Sequence, residues 1–181
     1  MAFDLQPALD SLGVHQHGIV RVEDIVFSEE VRKMCEANTC RKYGVTWACP
    51  PAVGTVDECK SRCFRLKNML VFSGKYDLED SYDFEAMMEG LASFKAMALR
   101  LEEALSPHIG AHFLLANEGC TNCEQCTYPD NPCRFPDKSP GSLEGYGIFV
   151  NELAASAGMN YINGANTVTY FGGLLFDGFA E

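Results

Sequence analysis

A stretch in the second half of the chain, GCTNCEQCTYPDNPC, carries four cysteines with the spacing C-x2-C-x2-C-x6-C. They are Cys120, Cys123, Cys126 and Cys133. Three cysteines separated by two residues each form a turn that points successive thiolates at one centre, an arrangement that iron–sulfur clusters use. Zinc usually takes paired C-x2-C units from two separate knuckles. The spacing therefore favours an iron–sulfur cluster, and structural zinc or a thiol redox site remain the alternatives.

The residues around this motif suit a cluster-binding loop. Gly119 would let the backbone come close to a cluster, because it has no side chain. In the bacterial ferredoxin motif the fourth cysteine follows after three residues and serves a different cluster. Here six residues separate Cys126 from Cys133. That length gives Cys133 enough slack to complete the same cluster.

A second group of cysteines lies in the first half of the chain, in the stretch CEANTCRKYGVTWACPP. It contains Cys35, Cys40 and Cys49, in irregular sequence where packing is a poor explanation for a thiol. Pro50 and Pro51 cannot continue a helix or a strand ladder, so they fix an extended path directly after Cys49. Three thiolates around a cluster would leave one iron open to solvent or substrate, by the logic that gives catalytic zinc an open position.

The remaining two cysteines, Cys59 and Cys63, lie one turn apart on a helix that the capping box TVDE opens at Thr55. Together with neighbouring apolar residues, the two cysteines form one apolar face of this helix. Free cysteine is a common small core residue. We therefore expect Cys63 to pack in the core. Two roles stay open for Cys59, which either packs in the core as well or serves as a fourth metal ligand of the first group.

The charge of the chain is uneven. The formal net charge is −11, which argues against general nucleic-acid binding. The segment from Arg32 to Lys67, however, holds eight of the fourteen lysines and arginines and only three acids. A basic segment around thiolates would stabilise their anionic form. The alternative is an ordinary solvated helix face.

The cellular compartment bears on what the cysteines do. The N-terminal sequence MAFDLQPALDSLG has no basic region followed by a long apolar run, so no signal peptide is predicted. No window has the roughly 18 apolar residues of a membrane span. The sequence therefore predicts a cytoplasmic protein without membrane contact. Disulfides are rare in the cytoplasm, where clustered cysteines are more often metal ligands or redox groups.

Hydrophobic periodicity predicts the elements that position these cysteines. Strands are expected at 18–28, 68–76, 111–117 and 166–176, the last either as one strand or as a hairpin around Gly172 and Gly173. Helices are expected at 29–35, 55–67 and 83–105, and another from near Ser142 to Gly158. These elements predict a single domain over 1–181 of the α/β or α+β class. It would have a small central sheet with helices packed on it and two cysteine-rich metal-binding loops at strand or helix ends.

Both cysteine stretches together resemble a family of "predicted metal-binding proteins", a domain of unknown function seen largely in anaerobes. The shared features are C-x4-C-x2-YG-x4-CPP, C-x2-C-x2-C-x6-CRFP and the segment GSLEGYGIFV, and they cover most of the chain from Cys35 to Gly158. The resemblance implies metal binding by seven cysteines and includes no cysteine that matches Cys59 or Cys63. The implied ligands are Cys35, Cys40, Cys49, Cys120, Cys123, Cys126 and Cys133.

Three hypotheses about function follow. The first is an iron–sulfur protein with one or two [4Fe-4S] clusters that transfers electrons to a redox partner protein or serves a larger enzyme. The second is an enzyme in which the three-cysteine cluster binds substrate at an open iron. The third is a structural-zinc protein or metal carrier. The chain has no phosphate loop, dinucleotide fingerprint or Ser-His-Asp signature, so those enzyme classes have no support.

Overall fold

The computed structural model describes residues 4–180, so residues 1–3 and 181 of the predicted domain lie outside it. Five α-helices occur among the described residues: α1 (Gln6–Leu12), α2 (Glu29–Glu36), α3 (Val56–Cys63), α4 (Phe84–Leu105) and α5 (Val150–Ser156). Five strands form one sheet: β1 (Gln16–Arg21), β2 (Asn68–Asp77), β3 (His112–Ala116), β4 (Gly141–Ser142) and β5 (Thr167–Phe176). Short 3-10 turns cover Val22–Asp24, Ser106–His108, Pro136–Lys138 and Glu144–Tyr146.

The strand order in the sheet is β1-β2-β5-β3-β4. All neighbours are antiparallel except β3 and β4, which run parallel. The prediction of a small central sheet with helices around it is confirmed. The prediction of a single domain over 1–181 stays a prediction.

Each face of the sheet supports a separate hydrophobic core, because successive strand residues point to opposite faces. On β2, Leu70 and Phe72 join the core formed with α1 and α4. Met69 and Val71 join the other core, which also contains Cys59 and Cys63 from α3 and packs under the cysteine loops. The helix predicted at 83–105 is confirmed, and Asp83 caps it by accepting a hydrogen bond from the Ala86 N–H.

Several predicted boundaries were wrong, and the reasons are local. The helix expected from Ser142 begins only at Val150, because Gly141–Ser142 pairs with β3 and Gly147 adopts a left-handed φ of 76°. The expected helix at 55–67 ends at Cys63. The strand at 166–176 is continuous, since its residues pair with β2 along the whole length of that strand. α1 was not predicted.

Candidate metal centres

The four cysteines of the second half line one small cavity of about 20 Å³ in the loop that follows β3. All four are partly buried. Thr46 and Trp47 from the first cysteine stretch complete the wall. The cavity defines what we call the second site: Cys120, Cys123, Cys126 and Cys133.

Hydrogen bonds within the loop hold the second site. The Asn122 N–H donates to Cys120 Sγ at 3.4 Å, so a backbone donor already points at one sulfur. Arg134 Nη1 donates to the Gln125 carbonyl at 3.0 Å, which joins the arm bearing Cys133 to the turn before it. The loop contains little regular structure beyond the 3-10 turn at Pro136–Lys138. Its shape therefore rests on such local contacts.

The three cysteines of the first half line another cavity, of about 290 Å³. We call it the first site: Cys35, Cys40 and Cys49. Cys35 comes from the last turn of α2, as expected; Cys40 is exposed and Cys49 is buried. Lys42 and two carboxylates, Glu118 and Glu144, also line this cavity.

Electrostatics within the first site disfavour bare thiolates. Burial raises the pKa of the Cys35 thiol to about 11, and the Glu144 carboxylate adds to that rise more than the neighbouring cysteines do. Burial also raises the pKa of Cys49, against a hydrogen bond from Thr46 that lowers it. The pKa of Glu144 is raised, mainly by burial. Arg32 opposes the rise at Cys35, and Lys42 and Lys95 oppose it at Cys49, so burial outweighs the positive charges around these thiols.

Arg32 fixes the position of α2 over the first site. It lies three residues before Cys35 on α2, so both side chains share a face of that helix. Arg32 Nη2 donates to the Gly145 carbonyl and Nη1 to the Gly54 carbonyl, each at 2.6 Å. The helix start is tied down as well, because the Ser28 N–H donates to the Gly147 carbonyl at 2.7 Å. These bonds bring Cys35 beside Glu144.

The two sites adjoin at Gly119. This residue has a left-handed φ of 70°, and a Cβ added there would lie 2.6 Å from Cys49 Sγ. The absence of a side chain was expected to admit a cluster; the structure shows that it admits the sulfur of the other site. The ammonium of Lys95 lies within electrostatic reach of both Cys49 and Cys120, and burial lowers its pKa.

Trp47 connects the two cysteine loops. Its Nε1–H donates to the Asn131 carbonyl at 3.0 Å. Its ring meets Tyr128 edge-on, with 4.9 Å between the ring centroids. Trp47 therefore both anchors one loop on the other and covers the cavity of the second site.

Cys59 and Cys63 lie away from both cavities and are fully buried. Burial raises the pKa of Cys63 to about 12, as expected of a core thiol. Cys59 Sγ accepts hydrogen bonds from Arg32 Nη2 at 3.4 Å and from Arg62 Nη2 at 3.0 Å. The Arg62 guanidinium also stacks on the Tyr146 ring at 4.9 Å. In this arrangement Cys59 is the acceptor for two guanidinium groups.

Sequence reasoning missed two residues of the first site. In the sequence, Arg32 belongs to a basic segment and Glu144 to the segment GSLEGYGIFV. Their local sequences do not predict that Arg32 would bind the backbone next to Glu144, more than a hundred positions away. One signal could have identified Glu144. It is the one acidic residue of GSLEGYGIFV, a segment that resembles part of a metal-binding family.

The donor chemistry fits a thiolate-bound metal centre. Cysteine is the ligand that iron–sulfur clusters and structural zinc share. Across residues 4–180, no group of three or more histidine, cysteine, aspartate or glutamate side chains converges closely enough to hold a single metal ion. The ligands of a four-iron cluster each bind a different iron, so they need not converge on one point. All nine cysteines are free thiols.

Comparison with known proteins identifies a family. The model of a family described as "Predicted metal-binding protein (DUF2284)" matches residues 18–176. No curated protein and no solved structure matches the chain. No helix within the described part of the chain is long and apolar enough to cross a membrane. The matched region includes all nine cysteines and every strand except the start of β1, and the chain belongs to this family of predicted metal-binding proteins.

Proposed function

We propose that this protein is an iron–sulfur protein that transfers electrons, with a [4Fe-4S] cluster held at the second site and another at the first. The observation that carries the proposal is the second site itself. Four cysteines with a cluster-type spacing line one cavity, and a backbone N–H already donates to one of their sulfurs. These observations support the proposal because the chain supplies the ligand type and one hydrogen bond of the kind that such clusters accept.

The contact between the two sites supports electron transfer rather than a purely structural role. Gly119 is in contact range of Cys49 and directly precedes Cys120, so groups bound at the two sites would be close neighbours. Iron–sulfur clusters supply one-electron chemistry when bound. The residues of the chain would bind and orient them. Trp47 and Tyr128 would exclude water from the second site, and Lys95 would offset the charge of thiolates at both.

The partner in this proposal is a redox partner protein or a larger enzyme that receives or donates the electrons. A nucleic acid is an unsuitable partner for a chain with a formal charge of −11. A cytoplasmic location is also part of the proposal, because nine free thiols persist best in a reducing compartment.

A second candidate function rests on the difference between the cavities. The first site opens into about 290 Å³ and the second into about 20 Å³. The larger cavity has room for a small ligand beside three cysteines. An enzyme that binds substrate at the first site is therefore the alternative to a pure electron carrier.

Electron paramagnetic resonance of the anaerobically reduced protein tests the proposal. We expect two cluster signals that interact magnetically, because the sites adjoin. Cys123→Ala should remove one signal and the interaction, leaving a simple spectrum from the first site. Adding cyanide separates the two candidates, since an electron carrier gives no change and an open iron gives a shift in the first signal alone. A reduced protein without any cluster signal would contradict both, and zinc in its place would favour a structural or carrier role.

A further inference from the structure

The wall of the first site contains a carboxylate whose hydrogen bond comes from its own backbone N–H. Glu144 is partly buried and lines the same cavity as Cys35, Cys40 and Cys49. Within residues 4–180 its carboxylate makes no hydrogen bond or ion pair with another residue. A charged carboxylate that is partly removed from water needs a compensating cation or donor. The cavity in front of it is where such a cation would lie.

The other carboxylate of this cavity, Glu118, is in a different situation. The ammonium of Lys95 lies within its electrostatic reach, so Glu118 has a positive neighbour. Glu144, in contrast, acts on Cys35 more strongly than any other charged group there. The two acids therefore differ in role, although they share a cavity. Of the two acids, Glu144 lines the cavity beside the cysteines of the first site without an ion pair to a basic side chain within residues 4–180.

The position of Glu144 is fixed by the fold. It begins the 3-10 turn Glu144–Tyr146, directly after β4 has paired with β3. The Gly145 N–H donates to Ser142 Oγ at 2.9 Å, and the Gly145 carbonyl accepts from Arg32. Because Arg32 belongs to the helix that carries Cys35, the same bond holds that helix against the turn that begins with Glu144, and both residues line the one cavity.

We propose that Glu144 is the fourth protein ligand of the iron–sulfur cluster at the first site, beside Cys35, Cys40 and Cys49. This inference rests on the proposed function, since it requires a metal centre there. In this arrangement a carboxylate oxygen binds the iron that three cysteines alone would leave open. A carboxylate oxygen is a harder donor than a thiolate. The two sites would then differ in ligand type, four thiolates at the second site against three thiolates and one carboxylate at the first.

The test uses three variants of the full chain, each purified anaerobically beside the parent protein. Glu144→Gln keeps the shape of the side chain, Glu144→Ala removes the donor, and Glu118→Gln is the matched control in the same cavity. The readouts are iron and inorganic sulfide per chain, before and after brief exposure to air, and the magnetic-resonance spectrum of the reduced protein. Far-ultraviolet circular dichroism verifies that each variant is folded.

We expect both Glu144 variants to change the spectrum of the first cluster, while the second site keeps its iron and sulfide. Glu144→Ala should also lose iron on exposure to air, because one iron then lacks a protein ligand, whereas Glu118→Gln leaves every proposed ligand in place and should keep its iron. If the parent binds metal at the first site and folded Glu144→Gln has an unaltered spectrum, Glu144 is not a ligand. If Glu118→Gln produces the shift instead, the assignment is wrong as well. A parent protein whose first site binds no metal overturns the proposed function, and this inference with it.

Discussion

The second site takes its four cysteines from fourteen consecutive residues, whereas the first site collects its walls from three distant parts of the chain. Cys35 ends a capped helix and Glu144 follows a paired strand, so regular elements hold much of the first site. The second site lies in a loop with a single short 3-10 turn between Gly119 and Lys138. The first cavity thus depends on the fold, and the second loop depends on what its cysteines bind.

The comparison also shows how two such different regions are kept together. Trp47 of the first cysteine stretch packs on Tyr128 and donates to Asn131 of the second. Gly119 lies against Cys49 with no room for a side chain. A change at either contact should therefore affect both sites, whereas a change inside one loop should affect that site alone.

The largest effect is expected from Cys123→Ala. It should abolish metal binding at the second site and leave the first site loaded, because the two sets of cysteines line separate cavities. Iron and sulfide per chain, measured on anaerobic protein, verify the change. Loss of metal from both sites would mean that the two regions form one centre rather than two.

The next largest effect is expected from removal of the metal, which should make the second cysteine loop more sensitive to proteolysis than the first. After treatment with an oxidant and a chelator, limited proteolysis should cut first within 119–138, where few apolar residues hold the chain. The stretch from Cys35 to Gly54 should be cut more slowly, because Arg32 and the bonds of Thr46 and Pro50 still tie it down. Mass spectrometry of the fragments identifies the cuts. Equal rates at both loops would contradict the proposed difference.

Gly119→Ala should weaken both sites together. The left-handed backbone costs about 1–2 kcal/mol for an alanine, and the added methyl group would clash with Cys49 Sγ. Gly13→Ala is the matched control, because Gly13 has a φ of 71° and nothing within 4 Å of the added Cβ. Thermal unfolding should show a similar backbone cost in both variants. Only Gly119→Ala should also reduce the metal content, and reduction in both would point to a general loss of stability.

The two core cysteines should give the smallest effects and should keep all metal. Cys63→Ala should lower the free energy of unfolding by about 1 kcal/mol, as a small core truncation does. Cys59→Ala should cost about 2 kcal/mol, because two guanidinium groups lose an acceptor. Denaturant unfolding and metal analysis are the measurements. Loss of metal from Cys59→Ala would make Cys59 a ligand after all, in place of Glu144.

Local patterns in the sequence were enough to predict the strongly periodic helices and strands and to identify the two sets of cysteines. The helix at 83–105 and the strand that begins at Asn68 were predicted because their periodicity and caps are local signals. The segment 141–148 was mistaken for a helix, since Tyr146 fits a helical stripe although its neighbours pair with β3 and turn at Gly147. The approach of Glu144 to Cys35 depends on Arg32 reaching Gly145, and such a long-range contact leaves no periodic trace.

The central claim is that the cysteine sets bind iron–sulfur clusters, and counting iron, zinc and acid-labile sulfide per chain in anaerobically purified protein tests it most directly. We predict a brown protein with iron and sulfide in equal amounts, corresponding to two four-iron clusters, and with only traces of zinc. Cys123→Ala, measured in parallel, should lack the iron and sulfide that belong to the second site. A colourless protein with stoichiometric zinc and no sulfide would contradict the claim.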